Sequence, residues 1–241
     1  MYNEVIVWHG FLLSLAKQFK MKSIRYTGLL LLLLQAAFSY AQKTISEGTI
    51  TYDIAVSTGN KEPQMADALD GATTKVYLKG GLSRTDMVSA LGNEKTIHDS
   101  KKGNAVVLKE YSGQKLMITL TKENWDAKNK KYEGVKFSST TETKTISGYV
   151  CTKATATLQD GSSIIVYYAN ELNVMNKEYD QTFKSLPGLP MQYVFESGKL
   201  KFTYTVSKID FTAVTLTLFD FPKSGYRVIT YDENQQGKKK Q

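Results

Sequence analysis

In Leu200, Phe202, Tyr204 and Val206 every second residue is apolar, with Lys199, Lys201, Thr203 and Thr205 between them. That period of two fixes a strand with one wet and one buried face, and a helix cannot satisfy it. The same alternation runs through Ile50, Tyr52, Ile54 and Val56. Short blocks of this kind fill most of the chain: Thr73–Lys79, Leu82–Ser89, Glu94–Asp99, Ala105–Tyr111, Gln114–Thr121, Val135–Ile146, Tyr149–Leu158, Ser163–Ala169, Val214–Phe221 and Tyr226–Tyr231. The turns between many of them carry Gly or Asn, such as Gly80-Gly81, Ser112-Gly113, Ser147-Gly148 and Asp160-Gly161. The pattern predicts a mainly β (α+β) single domain of about eleven strands, joined largely as an antiparallel meander.

Two or three short helices complete the expectation. Pro63 suits the first turn of one over Gln64–Asp70. Lys122–Gly134, the most polar stretch, reads as a helical turn and loop with Trp125 packed back. Asn170–Lys184 spaces Leu172, Met175, Tyr179 and Phe183 as a helix would. Ser185-Leu186-Pro187-Gly188-Leu189-Pro190 follows. Two prolines around a glycine predict an irregular bend that no inner strand passes through. Ser197-Gly198 then turns the hairpin of Met191–Phe211.

The N-terminal stretch reads differently. Lys22 and Arg25 precede six leucines, Leu29–Leu34, and Ser39-Tyr40-Ala41 follows. This is the three-part pattern of a secretory signal peptide, 21–41, cut after Ala41. Met1–Lys20 precedes that pattern and reads as an over-extended start, with Met21 the true one. Removing 1–41 lowers the formal charge of +8 by three and leaves Gln42–Gln241 as one domain with a short basic tail, Lys238-Lys239-Lys240. The expected address is the periplasm or the outside of the cell. The remaining charge is scattered over solvated strand faces, which argues against nucleic acid and allows peripheral contact with an anionic membrane surface.

Catalytic patterns are sparse. Cys151 is the lone cysteine, so no internal disulfide forms, and its strand setting predicts a small buried hydrophobe. His98 sits beside Asp99 and Ser100-Lys101-Lys102, which predicts an exposed edge position. With His9 the only other histidine, little remains for a metal site. No Gly-x-Ser-x-Gly elbow, phosphate loop or His-Glu-x-x-His occurs. The expectation is a monomeric, non-enzymatic protein with no catalytic or metal residues and no cofactor.

Four stretches carry a family resemblance. Thr145-Ile146-Ser147-Gly148-Tyr149-Val150-Cys151-Thr152-Lys153-Ala154 resembles the I-x-G-Y-x-C-x-K-A run of the GLPGLI family, secreted proteins of Gram-negative bacteria. Val166–Leu172 is similar to its W-Y-T-x-x-I segment. Leu186-Pro187-Gly188-Leu189-Pro190 resembles its name motif, with Ser185 where Gly and Pro190 where Ile is expected. Leu218-Phe219-Asp220-Phe221-Pro222 with Gly225-Tyr226 resembles its close, which also recurs in the LolA/LolB-like outer-membrane lipoprotein carrier fold. Val76-Tyr77-Leu78-Lys79-Gly80 with Arg84 resembles a sister family of unknown function. The resemblance implies a curved antiparallel sheet forming an incompletely closed β-barrel, with an apolar concave side under short lid helices.

Such a concavity is filled by side chains or by a ligand. The expected ligand is a lipid, a lipoprotein acyl chain or another hydrophobic group. The alternative is an envelope structural or interaction protein with a filled core. The candidate cavity and rim residues are Tyr52, Ile54, Phe202, Tyr204 and Val206 on the concave side, with Leu186, Pro187 and Leu189 in the rim loop.

Overall fold

The computed structural model describes residues 42–59, 64–197 and 199–239, all within the unit Gln42–Gln241. The leader, its cut after Ala41, the extension Met1–Lys20, Pro63 and Gly198 lie outside the described residues.

Fourteen strands and two α-helices form among these residues, with short 3-10 turns between them. In chain order the first half comprises β1 (Lys43–Ile45), β2 (Glu47–Ser57), β3 (Thr73–Lys79), β4 (Leu82–Ser89), β5 (Gly92–Asp99), β6 (Ala105–Tyr111), β7 (Gln114–Leu120) and α1 (Lys122–Asn129). The second comprises β8 (Ser138–Ile146), β9 (Tyr149–Thr157), β10 (Ser163–Ala169), β11 (Leu172–Val174), β12 (Leu189–Ser197), β13 (Leu200–Asp210), β14 (Arg227–Thr230) and α2 (Tyr231–Lys239).

Twelve strands form one curved sheet in the order β14-β7-β6-β5-β4-β3-β2-β13-β12-β10-β9-β8. Its ends, β14 and β8, do not pair, so the sheet stays open. Every neighbour is antiparallel except β14, which joins β7 in parallel. β1 and β11 form a separate parallel pair. Tight turns set the meander: Ser112 and Gly113, and Ser147 and Gly148, all have positive φ, as a two-residue hairpin of this twist requires. Register shifts at Tyr167/Tyr168, Val206/Lys208 and Ser139/Thr143 bend the β8–β13 half.

The pairing register defines an inner face. Across one half it carries Ile54, Tyr204, Tyr193, Val166 and Ala154 side by side. Across the other it carries Leu78, Ser83, His98, Ala105 and Leu120. The main buried cluster lies in the first half, with Ile50, Tyr52, Val166, Met191, Tyr193 and Val206 among its members. A smaller one, Ala105, Val107, Ile118, Leu120 and Trp125, lies in the second. Between them runs a stripe of small hydroxyl residues on β3–β5: Thr74, Ser83, Thr85 and Thr96.

Several expectations change. Leu189 and Pro190 belong to β12, an inner strand between β10 and β13. The bulge at Tyr167/Tyr168, which sets Tyr168 opposite Pro190, accommodates a proline that lacks a ladder donor. Asn170–Lys184 is not one helix but β11 and two 3-10 turns, Lys177–Tyr179 and Gln181–Phe183. Pairing with β1 captures Leu172 and Val174, and the side chains of Asn176 and Asp180 cap the two turns locally, which competes with helix. Gln64–Asp70 shortens to the 3-10 turn Met65–Leu69. Val214–Phe221 is not a strand. It crosses the outer face, where Val214 and Phe219 pack on Ile97. The basic tail is helical as far as Lys239, started by Thr230 and Glu233, which each bond the other's backbone N–H.

The C-terminal stretch thus wraps the sheet. Arg84 holds its outer part, donating to the Leu218 carbonyl at 2.6 Å while paired with Asp86 at 2.6 and 2.7 Å. β14 then extends the β7 edge, and Tyr231 of α2 packs against the inner-face cluster of β6 and β7.

Candidate functional site

Tyr52, Ile54 and Val206 are buried. Tyr204 and Phe202 are half-buried on the same inner face, with Tyr204 stacked on Tyr193 at 4.7 Å. Lys201 faces water. Leu186 and Leu189, expected at an exposed rim, are 1% and 0% exposed, and both belong to the main cluster. Pro187 alone of that loop's three candidates is exposed. The reason is packing: Gly188 lies so close to the end of β10 that a Cβ there would stand 2.2 Å from the Ala169 carbonyl oxygen. The loop is pressed onto the sheet, and Leu186 and Leu189 are driven inward. The phenol of Tyr52 is tied down by donating to the Pro190 carbonyl at 2.9 Å.

Cys151 and His98 stand apart, with six strands between β9 and β5 in the sheet. Cys151 is fully buried, and burial pushes its thiol up to about 11. A thiol held that high is a packing group rather than a nucleophile. His98 is only 3% exposed, against the expectation of an open edge. β5 is paired on both sides, and the Trp125 ring of α1 stacks over the imidazole at 4.3 Å. Burial lowers the His98 pKa, partly offset by Glu178, Asp99 and Asp126. Among the described residues, no group of three or more His, Cys, Asp or Glu side chains comes together to hold a metal ion.

Two open spaces among the described residues lie elsewhere, and none of the eight candidates lines either of them. One cleft of about 630 Å³ separates α1 and the loop after it from the turns before β12. Its walls carry Asp126, Glu178, Lys130 and Lys184, with Tyr132 and Val135 deeper in sequence between them. Glu178 is already engaged, accepting from Lys184 at 2.5 Å and Gln181 at 2.6 Å. The cleft is wide and mixed in charge.

The second cavity, about 250 Å³, lies on the inner face at the β5–β7 end. Its floor is Val107, Ile118 and Leu120, all buried. Glu94, Lys109 and Lys128 stand at its side, and Tyr231, Asn234 and Gln235 of α2 cover it. Lys109 is neutralised by Glu94 at 2.7 Å. Lys128 makes no ion pair among the described residues; its ammonium lies 5.4 Å from the Trp125 ring centroid. The Lys128 side chain reaches solvent, yet protein crowds it enough that desolvation lowers its pKa.

Ile118 and Leu120 were readable as inward-facing from their alternation. Lys128 and the α2 residues were not, since nothing local links residue 128 to residues 231–235. The Thr230-x-x-Glu233 box was the available signal for α2.

No family model matches the sequence, and no curated protein matches it. Among solved structures, the chain is similar to PNGF-II at 14% identity and TM-score 0.47, over 80% of this chain and 33% of that one. It thus spans about a third of PNGF-II's length. It is similar to an uncharacterized conserved protein from Thermus thermophilus at 12% identity and TM-score 0.47, over 77% of this chain and 91% of that one. With the lipoprotein LppX of Mycobacterium tuberculosis the figures are 11%, 0.36, 67% and 86%. Likenesses of this order assign the chain neither a family nor a function.

Proposed function

We propose that this is a non-enzymatic binding protein of the cell envelope, delivered through a leader cut after Ala41, that holds a lipid, an acyl chain or another hydrophobic ligand against the inner face of its open sheet. The observation supporting this reading is the β5–β7 cavity. A curved sheet must have its inner face filled. Side chains fill it across β9–β13, but over Val107, Ile118 and Leu120 they leave a space with an aliphatic floor. Phe202 and Tyr204, half-buried on the same face, are proposed as further contacts for a longer ligand.

The well-filled cluster around Tyr52, Leu186, Leu189 and Val206 favours the second reading, an envelope structural or interaction protein with no ligand. Titration with N-phenyl-1-naphthylamine separates the two. Saturable fluorescence enhancement at one probe per chain, reversed by palmitate, supports ligand binding. No enhancement above that of a non-binding control protein supports the filled-core reading.

A further inference from the structure

The cover of the β5–β7 cavity is mismatched to its floor. A helix packed permanently over Val107, Ile118 and Leu120 would present aliphatic residues at i, i+3 and i+4. α2 instead presents Tyr231, Asn234 and Gln235, and its sequence, Tyr-Asp-Glu-Asn-Gln-Gln-Gly-Lys-Lys, has no aliphatic residue. Nine residues are too few for a helix to be stable by itself, and Gly237 weakens it further, with open space around its Cα. Among the described contacts, α2 is held by one aromatic contact from Tyr231, the Thr230–Glu233 box at its start, and a 3.3 Å hydrogen bond from Asn124 to Asp232. All three lie in its first turn. The rest of the helix rests on the cavity with little to retain it.

The side of the cavity carries a cation with no contact partner. Glu94 pairs with Lys109, and Lys128 forms no ion pair among the described residues, with Glu94 and Asp180 acting on it only from beyond contact distance. An aliphatic floor beside an ammonium outside any ion pair is complementary to a chain with one anionic head. The space beneath α2 is slightly below the ~300 Å³ at which ligand pockets begin, so a whole amphiphile needs the cover moved.

We propose that α2 is a displaceable lid over a binding site for a single-chain anionic amphiphile, whose alkyl chain lies on Val107, Ile118 and Leu120 and whose head group is held by Lys128. This rests on the proposed ligand-binding function and specifies its site and ligand class. Lys128 is reached from solvent, so the head group enters at the α1 side while the chain takes the place of the Asn234 and Gln235 side chains. Thr230 is the pivot, because the capping contacts lie there and β14 stays fixed to β7.

The test compares dodecanoate with dodecanol by calorimetric titration of the protein and of Lys128→Gln, with hydrogen exchange followed over 231–239. Because Lys128 is exposed, the substitution leaves the fold intact. The expected result is about tenfold tighter binding of the carboxylate than of the alcohol, the size of one charge-assisted contact. In Lys128→Gln the two bind alike. Saturation with dodecanoate speeds exchange in α2. If both amphiphiles bind but Lys128→Gln keeps the preference, or α2 exchange is unchanged at saturation, the inference is wrong while the ligand-binding reading stands. If neither amphiphile binds the unsubstituted protein, both fall together.

Discussion

Gly188→Ala tests how the Leu-Pro-Gly-Leu-Pro loop is seated. An alanine Cβ would sit 2.2 Å from the Ala169 carbonyl oxygen and 2.8 Å from its carbon, both backbone atoms. Ordinary contact begins near 3.4 Å, so loop or strand must yield by about 1 Å. Ala169 cannot yield cheaply, since it is 0% exposed and paired on both sides, with Cys151 and Leu189. Two effects compete. Stiffening the unfolded chain favours alanine by about 0.4–1 kcal/mol. Forced repacking costs about 1–3 kcal/mol, and more when backbone must move. The clash wins, for a net loss of about 1–2 kcal/mol. Urea denaturation should show a lower midpoint at unchanged slope, and melting should fall by about 2–4 °C per kcal/mol for a domain of this size. Pro187→Ala, at an exposed position of the same loop, should stay within about 0.5 kcal/mol. A Gly188→Ala protein as stable as the parent would refute the close seating of the loop and, with it, the burial of Leu186 and Leu189.

Three further outcomes follow from the same packing. Cys151→Ser should cost about 1–3 kcal/mol by urea denaturation, since a buried hydroxyl replaces an apolar thiol, and native Cys151 should resist maleimide at pH 8 until the protein unfolds. Rapid native labelling would place the thiol at the surface. His98 is buried with a lowered pKa, so its contribution is fully present above the unfolded value of 6.5 and is lost as pH falls below that toward the folded value. Stability should decline over that window by at most about 1.4 kcal/mol per pH unit, and His98→Phe should flatten the profile; an unchanged slope in the variant would assign it to other groups. Val206→Lys should cost about 3–5 kcal/mol because it buries an unpaired ammonium, whereas Lys201→Thr, at an exposed surface pair with Glu196, should change stability by under about 0.5 kcal/mol; a stable Val206→Lys would mean the β13 register is misassigned.

The period of two carried most of the fold. It located the β2, β13 and β3–β7 strands and placed Tyr204, Val206, Ile54 and Tyr52 on one face, as the pairing of β13 with β2 has them. It could not report pairing order, because β14 joins β7 in parallel from over a hundred residues away. Pro190 misled because a bulge at Met191, defined only by the pairing of β12 with β10, lets a proline enter β12. Leu172 and Met175 mimicked a helix because β11 needs its β1 partner to become a strand. His98 looked exposed because its sequence neighbours are polar, while its cover, Trp125, comes from the next element but two. The candidate site was the least legible part. The two prolines mark the rim loop as irregular, but Gly188 marks tight seating rather than an opening. The cavity is assembled from β5–β7, α1 and α2; alternation marks the inward residues of β7 and a capping box marks the start of α2, but nothing local brings these elements together.

Native mass spectrometry of the protein purified from a cell envelope fraction, without detergent, addresses the central claim most directly. The account predicts a population heavier than the polypeptide by the mass of one amphiphile, released on denaturation and identified in the organic extract as a single-chain anionic lipid. A polypeptide mass alone, unchanged after incubation with fatty acids and lysophospholipids, would contradict it and leave a filled-core envelope protein.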